Sequence, residues 1–199
     1  MAILRGARGD LLELARPALT QLLLEKVREQ IERTQHLVSL VPGEKLSWRP
    51  SFPGPPSSLG VLIGHILECL AGFCAALHSV NPDRLTHFLD LRGLPVNHCC
   101  DAEEARQRIA SYLAHVEEGF AVLGDEQLAH AVPTVFVPEG EAILTLLLGN
   151  LEHLINHKYQ LFLYLKMLDV PVATRDLYRL RGRATPEDGQ AAGRTRPRS

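Results

Sequence analysis

Apolar residues recur every three or four positions along four long stretches of the chain, with polar residues between them. That is the period of an amphipathic helix. Leu19, Leu23, Val27, Ile31, Thr34 and Val38 share one face of a first helix predicted over 17–40. Pro17 suits its opening turn, where the missing N–H would have no partner anyway. Pro42-Gly43 ends it, and a short turn or helix at Leu11–Ala15 precedes it. The connection EKLSWRPSFPGPPSS follows, and its prolines forbid a continuous helix. Ser57 or Ser58 then caps a second helix whose stripe is Leu59, Leu62, Ile63, Ile66, Leu70, Phe73 and Leu77. Asn81-Pro82 breaks it, and a shorter helix is predicted over 82–91 before the loop RGLPVNHCC.

Asp101, with Glu104 three residues on, marks the start of a third long helix with Ala105, Ile109, Tyr112, Leu113, Val116 and Phe120 on one face. Gly124 ends it. The fourth runs over 142–168 and is closed by Pro171. Strand-like alternation is confined to Thr134–Val137. Four amphipathic helices of this length, without internal repeats, predict an all-α four-helix bundle with a long crossover between helices 1 and 2. Trp48 and Phe52 are expected to pack that crossover onto the bundle.

The chain's 199 residues suit one domain with extensions: 1–16 before the bundle, 17–180 the bundle itself, and 181–199 a flexible tail. From Arg175 onward seven arginines face three acidic residues, so the tail region carries +4 and the remainder about −6. A protein that grips nucleic acid would show a basic excess throughout, and none is expected to bind here. Leu59–Leu77 is apolar enough to suggest a membrane span, but His65 and Glu68 lie inside it, so a buried bundle helix is expected instead. Four cysteines without a CxxC spacing imply free thiols in a reducing cytoplasm. Cys69 stands four after His65, where it either reaches a metal or fills space as a small hydrophobe. Cys99 and Cys100 read as exposed, incidental thiols rather than a redox pair or accessory metal site.

Of nine histidines, only His153 and His157 stand four apart, on one face of a helix and close enough to share a metal. Chance alone supplies roughly 0.4 such pairs in a chain this rich in histidine, so the pair needs further support. The fourth helix has an apolar sector (Ile143, Leu147, Leu151, Leu154, Leu161, Leu165) beside a polar stripe of Asn150, His153, His157, Gln160 and Tyr164. Such a stripe faces either bulk water or a wet cleft inside the bundle. His65, at the boundary of the second helix's apolar stripe, is the natural third partner. Three neutral imidazoles would hold a divalent cation and leave a position open to water or substrate. Asn150, Gln160 and Tyr164 are candidates for orienting substrate. His36, His78, His87, His115 and His130 stand singly and receive no role.

Three stretches carry a resemblance: LVPGEKLSWRPSFPGPPSSLGVLIGHILECL, LEHLINHKYQLFLYLKMLDVPV and RDLYRL. In this order and separation the chain resembles the DinB/YfiT-like metal-binding four-helix bundles over 17–180. The resemblance implies an up-down-down-up bundle with a divalent cation on His65, His153 and His157, zinc or nickel ahead of iron or manganese. It also implies a small-molecule substrate, since some relatives are transferases that use a low-molecular-weight thiol, and a homodimer. The long segment 79–100 and the basic tail depart from the family pattern.

Overall fold

A computed structural model describes residues 18–51, 57–134 and 137–178. The predicted extension 1–16, with its turn at Leu11–Ala15, Phe52, and the tail 181–199 lie outside the described residues. Four long helices dominate: α1 (Leu19–Val38), α2 (Leu59–Val80), α4 (Ala102–Ala121) and α5 (Ile143–Met167). The short helices α3 (Phe88–Arg92) and α6 (Thr174–Tyr178) accompany them. Among the described residues the fold is therefore all-α, with one two-residue strand pair.

The helix starts follow local chemistry. Ser58 Oγ accepts the N–H of Val61 at 3.3 Å, and Asp101 Oδ1 accepts that of Glu104 at 2.8 Å, each satisfying an amide the helix leaves unpaired. The first helix has no such residue of its own. Asp125, in the 3₁₀ turn Asp125–Ala129 after α4, accepts the N–H groups of Leu19 and Thr20 at 2.9 Å and the Thr20 hydroxyl at 2.8 Å. Those donors hold its carboxyl below the usual carboxylate range.

Three expectations need correction. The helix predicted over 82–91 shrinks to Phe88–Arg92, preceded by turns after Asn81-Pro82. The strand pair flanks the Thr134–Val137 candidate rather than occupying it: β1 (Ala131–Val132) and β2 (Glu141–Ala142) pair antiparallel, while Thr134 and Val137 bond across the reversal between them. Leu19 is exposed rather than part of the α1 core face, whose buried residues include Leu24 and Leu37 as well as Val27 and Ile31.

Each of α1 and α2 packs between α4 and α5. Arg28 on α1 pairs with Glu117 on α4, and buried Gln30 accepts from Lys158 on α5 at 2.7 Å. Burial pushes the Lys158 amine down to about 8, with Arg33 adding to the effect. On α2, the Cys74 thiol donates to the Tyr112 carbonyl of α4, and His65 meets His153 and His157 of α5. The core between the helices is filled by residues such as Phe73, Tyr112, Leu67, Leu154 and Leu161, all fully buried. α2 is long and apolar enough to cross a membrane by length alone, but 67% of its most apolar stretch is buried against the other helices. Trp48 packs edge-on against Tyr164 of α5 at 5.4 Å, which seats the crossover on the bundle as expected.

The segment before α4 lies directly on the backbone of α2. The N–H of Asn97 donates to the Gly64 carbonyl at 3.2 Å and that of Cys100 to the Gly60 carbonyl at 3.0 Å. A Cβ at Gly64 would stand 2.1 Å from the backbone oxygen of His98, so only glycine permits this approach. Asn97 has φ 60°, a left-handed conformation that asparagine tolerates better than most residues.

Candidate metal centre

The polar stripe of α5 faces the seam with α2 rather than bulk water. Asn150, His153, His157 and Gln160 are half-buried and Tyr164 is buried. His65 lies opposite, and the three imidazoles form a tight set with ring centroids 5.1 Å (His65–His153), 4.4 Å (His65–His157) and 4.7 Å (His153–His157) apart. The Nε2 atoms of His65 and His153 are 3.2 Å apart. Two nitrogens bound to one tetrahedral ion at about 2.0–2.1 Å lie about 3.3 Å from each other. The observed spacing fits that donor set.

The outward nitrogens are committed elsewhere. His65 Nδ1 lies 2.6 Å from Asn97 Oδ1 and 2.9 Å from Glu68 Oε2. Both oxygens accept, so Nδ1 carries the hydrogen and Nε2 turns its lone pair toward the other two rings. On α5, Gln160 donates its amide hydrogen to the Tyr164 hydroxyl at 3.1 Å, which turns its Oε1 toward His157 Nδ1 at 2.9 Å. His157 therefore also presents Nε2 inward. Tyr164 in turn donates to the Ser57 carbonyl at 3.4 Å. Gln160 and Tyr164 thus hold a ring in place, while Asn150 sits over Gly72 of α2, its Oδ1 2.5 Å from where a Cβ would be.

Burial lowers the pKa of His153, and the neighbouring His65 adds to this. Burial does the same to His157, partly offset by Gln160. Both rings therefore keep the neutral form, the one that can donate a lone pair to a cation, to lower pH than an ordinary histidine. The sign for stability follows by linkage. Between the lowered folded values and 6.5 the unfolded chain binds more protons at these two positions, so their contribution to the stability of the metal-free fold grows with rising pH across that window and is level above it. In melts of chelator-treated protein from pH 5 to 8, this contribution should appear as a rise that ends at about pH 6.5. His153→Asn with His157→Gln should flatten the rise.

Sequence reasoning placed no role on Asn97, since nothing in its spacing relates it to His65, 32 residues away. A group that orients a metal-binding imidazole typically accounts for about 10–100-fold in affinity. Asn97→Gly, which keeps the left-handed backbone, is expected to weaken zinc or nickel binding by that order in calorimetric titration, with Glu68 retaining part of the effect.

Cys69, at 1% exposure, belongs to the same group: its sulfur and one ring nitrogen each of His65, His153 and His157 all lie within 4.8 Å of one another. It is a small buried residue, as anticipated, and also lines the centre. A second group, His98, Cys100 and Glu104, clusters at the start of α4. Contrary to expectation, Cys100 is fully buried while Cys99 is exposed. Burial and Glu104 push the Cys100 thiol up to about 12. Glu104 already binds His98 at 2.9 Å and Arg108 at 3.4 Å. The guanidinium and the positive helix end both oppose a cation here.

Among the singly standing histidines, His36 bonds Asp176 of α6 at 2.9 Å and His87 pairs with Glu118 at 2.6 Å. Both are far in sequence from the three-ring set.

The pattern of the DinB superfamily matches residues 26–166, which run from α1 to the last turn of α5 and include all three rings. The chain belongs to the DinB superfamily. Among solved structures it is similar to the DinB-like protein YjoA of Bacillus subtilis, with a TM-score of 0.57 and 17% identity over 76% of this chain and 96% of that one. This likeness supports the helical DinB-like fold. No curated protein shows significant similarity to the chain.

Proposed function

We propose that this DinB-like protein binds a divalent cation, zinc or nickel first, through Nε2 of His65, His153 and His157, and acts as a metal-dependent thiol S-transferase or related hydrolase on a small molecule. The four long helices then follow the up-down-down-up order. The start of α1 meets Asp125 just past α4, its end meets Asp176 just past α5, and on α2 His65 lies beside His157 while Gly72 lies beside Asn150, so α1 runs against α4 and along α5 and α2 runs against α5, which supports that order.

One observation carries the reading. Three imidazoles from two helices bring ring nitrogens within 4.8 Å of one another, and hydrogen bonds donated by the rings to Asn97, Glu68 and Gln160 fix two of them. Such anchoring is what a preorganised donor set requires. A divalent cation held there supplies a lowered pKa to a neighbouring thiol or water at neutral pH. The chain's own residues keep His65 and His157 in the required tautomer, and burial keeps His153 and His157 neutral.

Metal analysis of freshly purified protein, joined to a screen of low-molecular-weight thiols with electrophilic acceptors, tests this. Thiol conjugation that disappears with chelator and returns with zinc or nickel is expected. Stoichiometric metal without turnover for any thiol or ester would leave a metal-binding bundle without catalysis.

A further inference from the structure

The seam between α2 and α5 carries two pairs of donors at the spacing of one helical turn: His153 and His157 on α5, and His65 and Cys69 on α2. Residues four apart project from the same helix face. The two helices meet here so that His65 lies 4.4 Å from His157 and 5.1 Å from His153, ring to ring. The Cys69 sulfur joins the three nitrogens within a span of 4.8 Å. We propose that Cys69 is a fourth ligand, so that the centre is a three-histidine, one-cysteine site for a thiophilic cation. The inference rests on the three-histidine reading given above.

Three observations support it. The sulfur is on the protein side of the centre: Cys69 is 1% exposed, whereas the three rings are half-buried. Its present hydrogen bond is weak, a thiol donated to the His65 carbonyl at 3.4 Å, so little is lost when the sulfur turns to a cation. One turn further along α2, Asn150 lies against Gly72, 2.5 Å from where a Cβ would be, so α2 and α5 are in close contact just beyond Cys69. Cysteine sulfur, a soft donor, favours zinc over manganese. Binding exchanges the thiol hydrogen for the sulfur–metal bond, and the proton leaves to solvent. With a fourth protein donor, a substrate thiol or water would reach the ion by raising its coordination number to five.

Cobalt(II) titration of the full-length protein separates the possibilities. The expected spectrum has the visible bands of a four-coordinate ion together with an intense near-ultraviolet sulfur-to-cobalt band. Cys69→Ala should still bind cobalt but lose the near-ultraviolet band, and Cys100→Ala should keep it. X-ray absorption of the zinc-loaded, unsubstituted protein gives the same answer without relying on the folding of a variant: one sulfur at about 2.3 Å beside nitrogens at about 2.0–2.1 Å. Cobalt bound without the sulfur band, or a band that survives Cys69→Ala, overturns the fourth ligand and leaves the three histidines standing. Failure to bind cobalt or zinc at all, with His153→Ala indistinguishable from the unsubstituted chain, removes the three-histidine reading and this inference together.

Discussion

A variant carrying His153→Ala and His157→Ala will gain no thermal stability from added zinc or nickel, whereas the unsubstituted protein will. An ion that binds only the folded state stabilises it by mass action, about 2.7 kcal/mol when present at 100 times its dissociation constant. For a chain of this size that corresponds to about 5–10 °C in the unfolding midpoint. The folded protein brings the three imidazoles within 4.4–5.1 Å, whereas in the unfolded chain 88 residues separate His65 from His153. The unfolded state therefore offers only local two-donor sets such as His153–His157, and the linkage is nearly complete. Removing both α5 rings leaves at most His65 and Cys69, too few donors to hold the ion, and the metal-dependent shift should vanish. Melting curves with metal and with chelator check this directly, and equal shifts in the two proteins would place the ion elsewhere.

Gly64→Ala should have the second large effect, and on two properties at once. A Cβ at this position meets the backbone oxygen of His98 at 2.1 Å and its nitrogen at 2.9 Å, and a backbone cannot swing aside as a side chain can. Overpacking of this kind typically costs about 1–3 kcal/mol, and a clash with main chain belongs at the upper end. To relieve it the segment must lift off α2, breaking the bond from the Asn97 N–H to the Gly64 carbonyl and carrying Asn97 Oδ1 away from His65. Zinc affinity should fall along with stability. The comparison with Asn97→Gly separates the two, because that substitution removes the Oδ1 contact to His65 while keeping the left-handed backbone that seats the segment. Denaturant unfolding and calorimetric titration of both variants measure the effects, and Gly64→Ala with unchanged stability would mean that the segment does not lie on the helix.

The long helices were legible because their signals are local. The 3.6-residue period set the core faces of α2, α4 and α5, and Ser58 and Asp101 cap the helices they were expected to start. His65, His153 and His157 could be nominated from a spacing and a boundary position, and the structure brings their rings together. What the sequence could not show depends on distant contacts. The cap of α1 comes from Asp125, 106 residues beyond Leu19, so no motif announces it. Leu19 follows the helical period yet lies outside the core, because it sits at the helix end. Asn97 reaches His65 only because two glycines one turn apart, Gly60 and Gly64, open the surface of α2 to another segment. Those glycines lie in an apolar run and read as filler. Lys158 interrupts the polar stripe beside His157 and is 2% exposed, a burial that charge patterning argues against until Gln30 is placed opposite it.

The carboxylate of Asp125 joins the opening turn of one helix to the connection between two others. Neither partner has a substitute: Leu19 and Thr20 have no side-chain cap of their own, and the turn carries the acid that both amides share. Unravelling at either place frees the other, so the two segments should open as one cooperative unit although they are remote in sequence. Their amide protons should then exchange with solvent deuterium at a common rate.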